Sequence, residues 1–108
     1  MTEFQRFQIE AHRWADSVFG ELRPPDGPIA HLRKEVKELA DHPYDDMEYA
    51  DCLLLVLDAA SNAGIGADDL LNTCWDKLAI NQAREWGGAD ENGVVEHVRD
   101  PVLDRQKP

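Results

Sequence analysis

Two carboxylate pairs, Glu35-x-x-Glu38 and Glu48-x-x-Asp51, are the residues of this sequence best suited to chemistry. Residues three apart share one face of a helix, so each pair presents two acids together. Either pair alone has an ordinary explanation. Glu35 and Glu38 fit a solvated face with Lys34 opposite Glu38, and Glu48 fits the start of a helix. Asp51 and Asp58 are harder to explain in this way. They sit in an apolar stretch with no Lys or Arg between Glu48 and Ala83 except Lys77. A carboxylate held away from water must gain a cation or a proton, so these two need a metal ion or basic residues from another helix.

The two pairs gain meaning together. They lie on consecutive segments joined by a short connection, so four acids can converge. Their mutual repulsion then calls for divalent cations, and oxygen-only ligands favour Mg²⁺ or Mn²⁺ over zinc. A di-iron bundle would use Glu-x-x-His motifs, and the sequence has none. Lys77, Asn81 and Arg84 recur at helical spacing and form one polar, cationic edge. Two cations and an amide suit a polyphosphate and a sugar or base; a plain solvent face, with Arg84 paired to Asp76 or Glu85, is the alternative. Trp14 could stack on a purine, and it also fits the apolar stripe of its own helix.

Four helical segments must position these groups. The first spans about Thr2 to Phe19, with capping-box spacing at Thr2 and Gln5 and a stripe of Phe4, Phe7, Ala11, Trp14 and Val18. The second spans about Pro28 to Ala40, with Pro28 suited to a first helical position and Ile29, Leu32, Val36 and Leu39 as its stripe. The third runs from Asp46 to Asn62, preceded by Asp45 and followed by Gly64 and Gly66. It is apolar nearly all round, which implies burial on every side and hence a partner subunit. The fourth spans about Asp68 to Trp86, with Leu71, Cys74, Trp75, Leu78 and Ala79 expected to face the core. Residues 87–108 read as an irregular or docked tail.

The fold class is therefore all-α: four helices in one 108-residue domain, oligomeric. Eleven basic against 22 acidic residues, net −11, argue against a polymeric nucleic-acid footprint. No run reaches the ~18 apolar residues of a membrane span, and the N-terminus lacks a signal-peptide core, so a cytoplasmic protein without membrane contact is expected. Cys52 and Cys74 have no zinc spacing and read as buried thiols.

The succession Glu35-x-x-Glu38, Glu48-x-x-Asp51, Lys77-x-x-x-Asn81 resembles the MazG-like, all-α nucleoside triphosphate pyrophosphohydrolases. More narrowly it is similar to the phage-type dATP/dGTP diphosphohydrolases, the MazZ group. The likeness runs from about Trp14 to Arg99 and includes Asn92-Gly-Val-Val-Glu-His-Val-Arg in the tail. Only nine residues separate Glu38 from Glu48, fewer than in typical MazG proteins, as the phage group tolerates. The resemblance implies a four-helix MazG-like bundle, as a homodimer or dimer of dimers. It implies water attack on the α-phosphorus of dGTP or dATP, releasing the monophosphate and pyrophosphate. In that group dGTP cleavage supplies dGMP to a pathway making 2-aminoadenine DNA. Glu35, Glu38, Glu48 and Asp51 would hold Mg²⁺ or Mn²⁺, with Glu38 also orienting water. Lys77 would act on the leaving group, and Lys77, Asn81, Arg84, Asp58 and Trp14 would contact substrate. A non-catalytic acidic DNA mimic and a helical module with a structural metal are the other classes these residues allow. Acids embedded in an apolar helix speak against the mimic.

Overall fold

The computed structural model describes residues 1–99. It has four helices, α1 (Glu3–Phe19), α2 (Asp26–Asp41), α3 (Asp46–Asn62) and α4 (Ala67–Ala83), and no strand among the described residues. Two compact units are distinguished, Met1–Leu71 and Asn72–Pro108, with the division inside α4. Among the described residues no single helix is long and apolar enough to cross a membrane.

Local chemistry sets the helix ends. The Thr2 hydroxyl accepts the Gln5 amide at 3.1 Å, so α1 opens on the expected cap. Gly20, at φ 96°, turns the chain out of α1 through a backbone conformation that costs a side chain dearly. Helix α2 begins two residues before the expected Pro28, which is its third residue and is buried. A proline fits there because first-turn amides have no partner within the helix. Asp45 caps α3 through the Met47 amide at 3.0 Å. At the other end Gly64 adopts φ 81°, and the Ile65 amide reaches back to the Ala60 carbonyl at 2.8 Å. That closing bond satisfies a carbonyl the helix itself leaves open.

In the first unit α3 is central: α2 packs along it most extensively and α1 packs on it as well. The start of α4 is secured from α1. Gln8, only 5% exposed, accepts the Ala67 amide at 2.6 Å and donates to the Ile65 carbonyl at 3.0 Å. Its amide thus serves as the missing cap of α4. Gln8→Leu keeps the bulk but orphans both backbone groups, each worth about 1–3 kcal/mol. The expected result is a drop of roughly 10 °C in apparent Tm by circular dichroism, with helicity kept below the transition.

The expected stripes are less buried than their spacing suggests. Among the described residues the buried apolar side chains are Ala15, Leu57, Ala59, Ala60 and Ala67, besides Pro28. Phe7, Trp14 and Val18 of α1, Ile29 and Val36 of α2, and Leu53, Leu54 and Val56 of α3 are substantially exposed in the single chain. On α4 the expectation is reversed. Leu71, Cys74, Trp75, Leu78 and Ala79 are exposed, while Lys77, Ile80 and Asn81 are half-buried. Periodicity locates an apolar face but does not say which molecule covers it. Of the two thiols read as buried, Cys52 is half-covered and Cys74 is open.

In the second unit α4 stops at Ala83 instead of Trp86. The Trp86 indole donates to the Asn81 carbonyl at 2.8 Å, the acceptor a continued helix would use. The tail then folds back. Trp86 and His97 form an antiparallel bridge with their rings edge to face at 5.8 Å. Gly87 donates to Glu96 at 2.9 Å, and the Asp90 carboxylate accepts the amides of Asn92 and Val94, each at 2.8 Å.

Candidate metal centre

The connection between α2 and α3 is tight. The His42 amide donates to the Glu38 carbonyl at 3.0 Å and the Asp45 amide to the His42 carbonyl at 3.1 Å. The Tyr49 hydroxyl donates to the Pro43 carbonyl at 2.9 Å, tying α3 to the turn. The helices fold back antiparallel. Residues equally far from the turn then stand level: Glu35 and Asp51 each lie eight residues from Pro43, and Glu38 and Glu48 each lie five.

This register brings Glu35, Glu48 and Asp51 together, with one carboxylate oxygen from each within 4.8 Å of the others. Glu35 and Glu48 are half-buried, whereas Asp51 and Glu38 are exposed. Glu38 stands outside this closest group but adds its field to it. The Glu48 carboxyl is pushed above its usual pKa, first by loss of water and then by the charges of Asp51, Asp45, Glu38 and Glu35. The Cys52 thiol is raised in the same way, by desolvation and then by Glu35, Asp51 and Glu48. An all-oxygen set under mutual repulsion fits a hard divalent cation such as Mg²⁺ or Mn²⁺. His31 borders the cluster, its Nε2 lying 3.3 Å from Glu35 Oε1.

Asp58 is not part of the cluster. It is buried, and the cation its burial requires is Arg23 of the α1–α2 linker. Arg23 Nη1 donates to Asp58 Oδ2 at 2.8 Å and Nη2 to Asp58 Oδ1 at 3.1 Å. Nη2 also reaches Asp16 at 3.2 Å, and Nε donates to the Gly20 carbonyl at 2.7 Å. The guanidinium lies over the Phe19 ring, 5.7 Å from its centroid. These bonds, those to Asp58 first, hold its pKa above the usual value despite partial desolvation. His12 adds a fourth member, 3.3 Å from Asp16 and 3.6 Å from Asp58.

A cleft of about 290 Å³ lies along the same helix pair. Phe19, Pro24, Pro28 and Leu55 line it, with His31 toward the carboxylates and Arg23 and Asp58 at the other end. The hairpin register explains the lining, since Pro28 stands level with Asp58 and His31 with Leu55. Trp14 lines a neighbouring apolar cleft of about 380 Å³ with Phe7, Phe19 and Leu54. It is 62% exposed and meets Phe19 edge to face at 5.9 Å.

Lys77, Asn81 and Arg84 belong to the second unit. Lys77 and Asn81 lie on α4, and Arg84 lies just beyond its end. Arg84 is buried, and its Nη1 donates to Asn81 Oδ1 at 3.4 Å, so these two act as one group. Arg23, Asp16, His12 and His31 were not among the residues singled out by motif. The one signal for Arg23 was the unmet need of Asp58 for a cation, set against a lone Arg before Pro24-Pro25 in the linker.

Comparison with known proteins places the chain in a family. The family model for dATP/dGTP pyrophosphohydrolases matches residues 7–104. A dATP/dGTP diphosphohydrolase of Cyanophage S-2L is 42% identical over 93 residues, covering 84% of both chains. A dATP/dGTP diphosphohydrolase of Salmonella phage PMBT28 is 40% identical over 81% of this chain. The Eaa protein of Salmonella phage P22 is 34% identical over 91% of it. The match spans 29% and 31% of these two longer relatives respectively. Among solved structures, a Cyanophage S-2L MazG-like pyrophosphohydrolase bound to dGDP and three catalytic Mn²⁺ ions per active site superposes with a TM-score of 0.75 at 34% identity. It covers 92% of this chain and 100% of the other. On sequence and fold together, this chain belongs to the dATP/dGTP pyrophosphohydrolase family.

Proposed function

We propose that this chain hydrolyses purine deoxynucleoside triphosphates, dGTP and dATP, at the α–β anhydride, giving the monophosphate and pyrophosphate. The observation that carries this reading is the meeting of Glu35, Glu48 and Asp51 within 4.8 Å beside a cleft lined mainly by apolar side chains. Glu35, Glu48 and Asp51 would hold Mg²⁺ or Mn²⁺, with Glu38 joining them from the exposed rim, and the ion would supply positive charge to phosphoryl oxygens and to the attacking water. We assign Glu38 to orient the attacking water and accept its proton. The new bond forms between that oxygen and the α-phosphorus, and the α–β bridging bond breaks.

We assign Lys77 to the charge that grows on the departing pyrophosphate, with Arg84 and Asn81 as the linked group that binds phosphate and sugar. Trp14 and Asp58 are assigned to the nucleoside side of the substrate. We further propose a homodimer or dimer of dimers, acting in the host cytoplasm on the free nucleotide pool. Support for assembly comes from the exposed apolar residues of α3 and α4.

Incubation with dGTP, dATP, dCTP and dTTP in Mn²⁺, followed by chromatography and a pyrophosphate assay, tests the reading. Monophosphate with pyrophosphate from the purine substrates is expected. Release of orthophosphate with a diphosphate would overturn the cleavage site, and preference for pyrimidines would overturn the base class. Lys77→Ala is expected to lower kcat about a hundredfold or more. Mn²⁺ affinity, read by electron paramagnetic resonance, should stay within a factor of about two, because the ligands are untouched.

A further inference from the structure

The cleft beside the carboxylates is walled by Phe19, Pro24, Pro28 and Leu55, and it carries both a donor and an acceptor at the end away from Glu35: Arg23 and Asp58. We infer that the Arg23–Asp58 pair is the base-reading element of the enzyme, hydrogen-bonding the purine edge and so setting base preference. This deepens the hydrolase reading above and rests on it.

Size and position agree. At about 290 Å³ the cleft lies at the lower end of small-molecule sites, suited to a single heterocycle. Pro28 and Asp58 are each seven residues from the level of Glu35 and Asp51, about 10 Å along the helices. A nucleotide carries phosphates at one end and a base at the other. With its phosphates at the carboxylates, its base falls in the cleft.

Hydrogen-bond capacity points to the pair itself. A guanidinium has five N–H donors, and Arg23 uses four of them on Gly20, Asp16 and both oxygens of Asp58. One donor remains on Nη1. Its partner Asp58 Oδ2, 2.8 Å away, retains an unused lone pair. A donor and an acceptor therefore lie side by side. Guanine offers O6 beside N1–H, and adenine offers N1 beside an N6 hydrogen. The shorter pyrimidine ring, held by the same sugar, stops short of the pair. The bonds to Asp16 and Gly20 and the contact with Phe19 fix the guanidinium before any base arrives, which lowers the cost of binding. Leu22, next to Arg23, is held at φ 57°, a strained conformation for leucine of the kind that collects at ligand clamps.

The test is the double substitution Arg23→Met, Asp58→Leu, which replaces a buried ion pair with apolar groups of similar size and so tends to preserve folding. KM for dGTP is expected to rise about tenfold or more, and the dGTP-to-dCTP ratio of kcat/KM to fall by a similar factor. Mn²⁺ binding by electron paramagnetic resonance should be unaltered. Arg23→Lys keeps the charge but not the fork, and should show the same change at smaller size; it carries the test by the same ratio if the double variant does not fold. A folded variant whose dGTP-to-dCTP ratio stays within about twofold of the unsubstituted chain overturns the assignment while leaving the hydrolase standing. Failure of the unsubstituted chain to cleave any of the four triphosphates with Mn²⁺ overturns the hydrolase reading, and this one with it.

Discussion

Glu35→Gln, Glu48→Gln and Asp51→Asn are each expected to lower dGTP turnover by more than the roughly 10–100-fold typical of outer-shell losses around a metal. Helical circular dichroism should be retained. Each substitution removes a carboxylate from a group in which one oxygen of each member lies within 4.8 Å of the others, while changing little volume. Glu38→Gln should differ in kind, because Glu38 stands outside that closest group. Turnover should fall steeply while Mn²⁺ affinity falls less. Near-normal turnover in two of the four variants at saturating Mn²⁺ would disprove the site.

The same cluster carries a pH signature. The folded chain holds the Glu48 proton more tightly than an unfolded one would, through desolvation and then through Asp51, Asp45, Glu38 and Glu35. In the metal-free protein the contribution of Glu48 to stability is therefore fully present below the ordinary glutamate range and is lost as pH rises through the raised one. Glu48→Gln should flatten that slope and raise the metal-free Tm near neutral pH. Added Mn²⁺ should reverse the trend, since it binds the ionised carboxylates. Melting curves from about pH 4 to 8, in EDTA and in Mn²⁺, separate the two regimes.

Leu53→Asp is expected to dissociate the proposed oligomer or unfold the chain. Leu53 is 51% exposed in one chain, on a helix whose sequence is apolar nearly all round. Covering a leucine contributes about 1.5–3 kcal/mol, and a new carboxylate at the same place opposes closure further. Sedimentation at micromolar concentration should show an oligomer for the unsubstituted chain. Smaller or unfolded species should appear for the variant. A stable monomer of the unsubstituted chain would contradict the proposed assembly. A companion substitution, Trp75→Glu on α4, probes the other open stripe, where Trp75 is 65% exposed.

Much of this architecture was legible in the residues because it depends on neighbours in sequence. The caps at Thr2 and Asp45, the ends at Gly20 and Gly64, and the meeting of Glu35 with Glu48 and Asp51 follow from spacing and a short turn. Distant contacts were not legible. The bond from the Trp86 indole that ends α4 early depends on a folded-back tail. Leu71, Trp75 and Leu78 are exposed in the single chain, and helical spacing alone does not say whether an apolar stripe is covered. Arg23 was hidden for a related reason. Its bond to Asp58 joins residues 35 apart, and its linker is rich in proline and glycine, which read as chain-breaking alone. Asp58 itself marked the need for a cation but not its source.

Gln8 has a consequence during synthesis. Its amide bonds to Ile65 and Ala67, 57 and 59 residues further along the chain. At a ribosomal rate of 5–20 residues per second, those partners are made roughly 3–12 s after Gln8 itself. Over that interval α1 waits on the nascent chain with its apolar face open and its capping amide unused. A slow codon stretch before residue 65 would lengthen the wait and the exposure to aggregation. One placed after residue 67 would come once both partners of Gln8 had been made.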